Sequence, residues 1–181
     1  QLLAGLDRAE ADAPVTSFAH AIEQRIWNDA LAAALSSDGE RVFTIRGLPM
    51  IERNQRISPG RLPIFGRRLA MIEAMTNRLA AYELATEGKL VWEVDGRRAE
   101  GDLAGVFFLG APVAVDNTLY VLGEIKSAVY LVALDARTGA YRWRQLLLSL
   151  ERGVHLDLLR SRAGAEPSLA GDLLVCPTSA G

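Results

Sequence analysis

A stretch that occurs twice constrains this chain more than anything in its composition. Ala133-Leu134-Asp135-Ala136-Arg137-Thr138-Gly139-Ala140-Tyr141-Arg142-Trp143 is matched upstream by Ala81-Tyr82-Glu83-Leu84-Ala85-Thr86-Glu87-Gly88-Lys89-Leu90-Val91-Trp92. Trp92 and Trp143 lie 51 residues apart, and so do Gly88 and Gly139. The upstream copy has one extra residue between its acidic position and its glycine. A period of this size belongs to one supersecondary unit stacked repeatedly, so the fold class follows from it and the chemistry does not.

Each copy reads as a strand, a tight turn and a returning strand. Tyr130, Val132 and Leu134 alternate with Leu131 and Ala133 in a run with little polarity before Asp135, which is the pattern of a strand buried on both faces. In the turn, Asp135 and Thr138 can bond nearby backbone, and Gly139 can take the positive φ such a loop needs. A second hairpin precedes it, with Asp116-Asn117 between Ala111–Val115 and Thr118–Leu122. Four antiparallel strands over 111–147 make one blade of a propeller. The unit repeats elsewhere. Ser37–Ile45 matches the first hairpin with an Asp-Gly turn, and Pro167–Cys176 matches it again, with Pro167 answering Pro112 at a distance of 55. The expected fold is therefore all-β, a partial β-propeller of four-stranded antiparallel blades with a short N-terminal helical segment. The expected division is a helical segment at 1–28 and a propeller over 29–181. Within the propeller, one blade spans 31–94 with an insertion at 47–76, a second spans 108–148, and a further blade begins at 165–181. The chain stops inside that third blade, so the expectation is a fragment whose last hairpin has an unpaired edge.

These residues resemble the bacterial PQQ-like (pyrroloquinoline quinone repeat) β-propeller proteins, of the quinoprotein alcohol dehydrogenase-like superfamily. That family's tryptophan-docking pattern is Ala-x-Asp-x-x-Thr-Gly-x-x-x-Trp. Ala133, Asp135, Thr138, Gly139 and Trp143 match it throughout, whereas Ala81, Glu83, Thr86, Gly88 and Trp92 match it loosely. The resemblance implies that Trp92 and Trp143 are staples between neighbouring blades. It says little about function, because such propellers serve enzymes, assembly scaffolds and envelope proteins alike.

Of 181 residues half are hydrophobic and the net charge is −2, which fits one folded domain and gives no basic balance pointing to nucleic acid. The longest uncharged stretch, 103–115, is too short to span a bilayer, which takes about 20 residues. Phe18, Ile22 and Ile26 form an amphipathic helical stripe, with Thr16 or Ser17 as its N-cap. The repeat, however, has the first strand beginning by about Leu31. The insertion carries Arg53, Arg56, Arg61, Arg67 and Arg68; with Arg46 these give six arginines against Glu52. They form a candidate patch for a phosphate, a carboxylate or an anionic surface. The alternative, and the preferred reading, is a solvated loop whose arginines pair with acids on neighbouring blades.

Catalytic material is sparse. His20 and His155 are the only histidines and Cys176 is the only cysteine, so neither a multi-histidine metal site nor a cysteine cluster can be built from this chain. Cys176 reads as a buried structural thiol. His155 lies near Asp157 and Glu151, and Glu100, Asp102, Asp116 and Glu124 are acids in or beside loops, two of which could meet at a propeller mouth. The leading expectation is a non-catalytic scaffold for unidentified protein partners or a ligand, needing no cofactor. The resemblance implies the cell envelope or periplasm. Two alternatives stay open. One is a dehydrogenase using pyrroloquinoline quinone and Ca²⁺; its family pattern of calcium-binding acids and paired cysteines is not matched here. The other is a sensor or regulatory propeller fused to another domain.

Overall fold

The computed structural model describes residues 30–47, 76–157 and 160–178. The N-terminal stripe, His20 and all five arginines of the insertion, Arg53 to Arg68, lie outside those residues. The first blade is an antiparallel meander of β1 (Leu35–Ser37), β2 (Arg41–Arg46), β3 (Arg78–Glu83) and β4 (Lys89–Asp95), adjacent in that order. The second holds β5 (Phe107–Phe108), β6 (Val113–Val115), β7 (Thr118–Ile125), β8 (Ala128–Asp135) and β9 (Tyr141–Ser149). A third sheet is the hairpin of β10 (Ser168–Ala170) and β11 (Leu173–Val175). The chain is all-β, built as part of a propeller. No helix among the described residues is long and apolar enough to cross a membrane.

Two strand boundaries differ from the sequence expectation. The first strand starts at Leu35 rather than at Leu31. Ala30–Ala33 instead closes as a 3₁₀ turn, with the Ala34 N–H donating to the Leu31 carbonyl at 3.3 Å, and this drops Leu31 fully into the core. The inner strand of the second blade starts at Phe107 and is split in two. β5 and β6 pair with the same edge of β7, and Pro112, which has no N–H to give, sits in the break. The Leu109 N–H still reaches the Leu122 carbonyl at 2.8 Å across the gap. Two-residue turns with left-handed φ at both positions, Asp116-Asn117 and Lys126-Ser127, close the hairpins on either side of β7.

The pleat gives each blade a front and a rear. Facing forward from the first blade are Phe43, Ile45, Leu79 and Ala81, with Trp92 and Val94 beside them. They pack against the rear of the second blade, where Leu119, Val121, Val132 and Leu134 are buried. Forward from the second blade, Leu122, Val129 and Leu131 form another cluster with Leu31, Val154 and Ala165, bordered by Leu174 and Cys176 of the last hairpin. β8 is thus covered on both sides, as its unbroken apolar run requires. Each large apolar side chain so buried contributes about 1.5–3 kcal/mol.

Polar ties reinforce both seams. Asn77, 1% exposed, accepts the Phe108 N–H at 2.7 Å and donates to the Phe108 carbonyl at 2.8 Å, joining the first blade to β5. Glu124, at the end of β7, is 3% exposed; it accepts the Val154 N–H at 2.6 Å and pairs with Arg160 at 2.6 Å. Arg160, on the single helical turn Arg160–Ala163, also reaches Asp157 at 2.9 Å and the Arg152 carbonyl at 2.5 Å. The connection out of the second blade is pinned at its middle.

Candidate functional site

The repeated motif comes together at the seam between the two blades. Ala81 and Ala133 are both fully buried, each directly opposite its tryptophan, and in both blades a β-bulge follows on the outer strand. The alanine leaves room for an indole across the strand pair, and the bulge turns the next side chain aside. Trp92 points forward. Its indole N–H donates to the Ala136 carbonyl at 3.1 Å, its ring lies 6.0 Å from Phe43, and its edge closes on Gly139. A Cβ at Gly139 would stand 2.6 Å from the ring, and Gly139 also holds φ +71, so glycine is needed there twice over. Trp92 of one blade is therefore seated on the turn of the next.

That turn is held by one carboxylate. Asp135 accepts the N–H groups of Arg137 and Thr138 and the Thr138 hydroxyl, all at 3.0 Å, through one oxygen. Its other oxygen accepts Arg142 at 2.7 Å and Asn117 at 3.2 Å. The Arg142 guanidinium lowers the Asp135 carboxyl most; burial opposes it, and the Thr138 and Arg137 donors add to the lowering, which ends at about 2. Arg142 is one of two bulged residues of β9, skipped in the pairing with β8 next to the turn it reaches. Arg142, Asn117 and Ala136 carry the seat, and of these only Asn117 has a sequence signal, as part of the Asp-Asn turn.

The upstream turn is built differently. Glu83 makes no side-chain cap; the Gly88 N–H and the Thr86 hydroxyl bond only the Glu83 carbonyl, at 3.0 and 3.3 Å. The extra residue, Glu87, takes a left-handed φ of 58. Trp143 lies forward on the second blade, 5.9 Å from Tyr120 and 43% exposed, and no neighbouring turn receives it among the described residues.

The acids noted in the sequence are dispersed. Glu124 pairs with Arg160, Asp157 also serves Arg160, and Asp102 pairs with Arg144 at 3.1 Å. Asp116 stands in its turn and Glu100 precedes the 3₁₀ turn Gly101–Leu103. His155 lies on the turn Val154–Leu156. Cys176 follows β11 and is partly buried, which pushes its thiol up. Among the described residues no three of His, Cys, Asp or Glu lie together in a way that would hold a metal ion.

Above the tryptophan seat the seam opens into a groove of about 630 Å³. Three turns wall it: the β1–β2 turn with Asp38 and Arg41, the β6–β7 turn with Asp116 and Asn117, and the β8–β9 turn with Arg137. Ala136 belongs to both features, since its carbonyl takes the indole and the residue also borders the groove.

A family model described as outer membrane protein assembly factor BamB, a PQQ-repeat family, matches residues 26–181. The chain belongs to that family. No significant match to a curated protein or to a solved structure was found. Membership accounts for the twofold motif and for the stacking of one blade's front on the next blade's rear, and it leaves the chemistry of the groove to this chain's own residues.

Proposed function

We propose that this chain is a non-catalytic scaffold, a rigid piece of β-propeller that holds a protein partner in the bacterial cell envelope. The family's description as an outer membrane protein assembly factor supports both the compartment and the proteinaceous partner. The observation that carries the reading is where the charged side chains go. Glu124 with Arg160, Asp102 with Arg144 and Asp135 with Arg142 are spent on holding turns, blades and connections in place. Such a frame presents its outward turns with little freedom, which lowers the entropy lost on binding. The scaffold needs no cofactor.

Two measurements test this. Calorimetric titration of the full-length protein with pyrroloquinoline quinone and Ca²⁺ is expected to give no binding heat; stoichiometric micromolar binding would make it a dehydrogenase instead. In cells lacking the protein, the amount of correctly assembled outer membrane protein is expected to fall. Unchanged assembly there would sink the scaffold reading.

A further inference from the structure

The charges around the groove do not all have a structural use. Asp38 accepts the N–H groups of Glu40 and Arg41 at 2.9 and 2.6 Å, and the Arg41 guanidinium bridges Asp38 and Glu40 at 2.8 and 2.9 Å. Burial pushes the Asp38 carboxyl up, but these donors outweigh it and hold it below its ordinary value. That wall is self-contained. On the opposite wall Asp135 clamps the turn that carries Arg137, and the Ala136 N–H donates to the Asn117 carbonyl at 3.0 Å. Asp116 and Arg137 remain. Both are exposed, and among the described residues neither the Asp116 carboxylate nor the Arg137 guanidinium has a hydrogen bond or ion pair. The fold does not need the Asp116 charge: the position requires only tolerance of φ 46, which asparagine shares, and Asn117 makes the bond to Asp135.

We propose that this groove binds an extended segment of a partner protein, which sets a basic side chain against Asp116 and an acidic one against Arg137. The proposal rests on the scaffold reading and names the place and chemistry of its partner contact. Small ligands of high affinity bury most of their surface, some 70–90%. A groove open to solvent between turns cannot enclose one, whereas an extended chain can lie along it and continue past both rims. Beside the charged turns the groove is also lined by Ala114, Val115 and Ala136, which set no competing charge against an extended chain. The two free charges of opposite sign would fix the direction of the bound segment.

The test is selection of a displayed library of random linear peptides on the full-length protein. Enriched peptides are expected to carry Lys or Arg and Asp or Glu a few residues apart. Asp116→Asn keeps the left-handed turn while removing the charge, and Arg137→Glu alters an exposed side chain. Unchanged melting temperatures check the fold of both. The double variant should bind the selected peptides about tenfold more weakly, as the loss of two exposed ion pairs allows. Arg137→Glu alone should favour peptides with a base in place of the acid. No enrichment over an empty matrix, or equal binding by the double variant, overturns the proposal. Either result leaves the scaffold reading standing; that reading falls on the cellular assembly measurement instead.

Discussion

The two blades share a motif but carry different loads, and their turns and rear faces differ accordingly. The turn of the second blade receives Trp92 and is braced by Asp135, whose second oxygen is held by the bulged Arg142. Among the described residues the turn of the first blade receives no ring: none of their atoms lies within 4 Å of where a Gly88 Cβ would be. There the acid is Glu83, one methylene too long to cap its own turn and displaced by an added residue, and the bulged position is Val91. The rear faces diverge in the same way. Val121 and Val132 of the second blade are fully buried under the first. Their counterparts by register in the first blade are Thr44 and Ala80, flanked by an ionic ladder: Arg46 to Glu93 at 3.5 Å, Arg78 to Glu93 at 3.3 Å and Arg78 to Asp95 at 3.4 Å. A rear face that must accept an apolar front is apolar, and its turn is braced. Among the described residues, the first blade's rear carries an ionic ladder beside Thr44 and Ala80 in place of the valines.

Trp92 should be the residue on which this contrast breaks most easily. Trp92→Ala removes the indole from the seam and is expected to cost about 3–5 kcal/mol in denaturant unfolding of the full-length protein. A loss under ~1 kcal/mol would mean that the seam holds without it. Next come the paired glycines. Gly139→Ala forces a Cβ into the Trp92 ring as well as straining a positive φ, so about 2–4 kcal/mol is expected. Gly88→Ala meets open space and pays for the left-handed conformation alone, about 1–2 kcal/mol. Equal losses at the two positions would show that the second turn carries no docked ring. The rear faces give a third pair: Val121→Thr buries a hydroxyl and should cost about 1–3 kcal/mol, whereas Thr44→Val should stay within about 0.5 kcal/mol.

How much of this was legible in the sequence follows from which forces are local. The strands and the turns depend on alternation and on short-range turn chemistry, and these show in a single chain. The split of the inner strand does not, although Pro112 marks its place, because β5 is held by partners distant in the chain, β7 and Asn77. Leu31 is ambiguous for a similar reason: an apolar residue fits a strand or a buried 3₁₀ turn, and its partners Val154 and Ala165 lie more than a hundred residues away. The groove is the least legible feature. Asp116 and Arg137 stand out only once the acids and bases around them are seen to be paired, and that accounting needs three dimensions.

The smallest predicted effect concerns pH and separates the two acids of the motif. The Asp135 carboxyl is held at about 2 in the folded protein against 3.8 for an unperturbed aspartate. Between those values the unfolded chain binds the proton and the folded chain does not, so stability must rise with pH through that window. The contribution of Asp135 is complete above about 4 and is lost as pH falls toward 2. Other carboxylates titrate in the same range, so the readout is the difference between wild type and Asp135→Asn in unfolding midpoint. The difference is expected to be largest at neutral pH and to shrink steadily below pH 4. Glu83→Gln should leave the stability at neutral pH within about 0.5 kcal/mol of wild type, because the Glu83 side chain caps no backbone group of its turn. If both variants track the wild type at every pH, the Asp135 clamp adds nothing to the folded state, and the braced turn is no better held than the bare one.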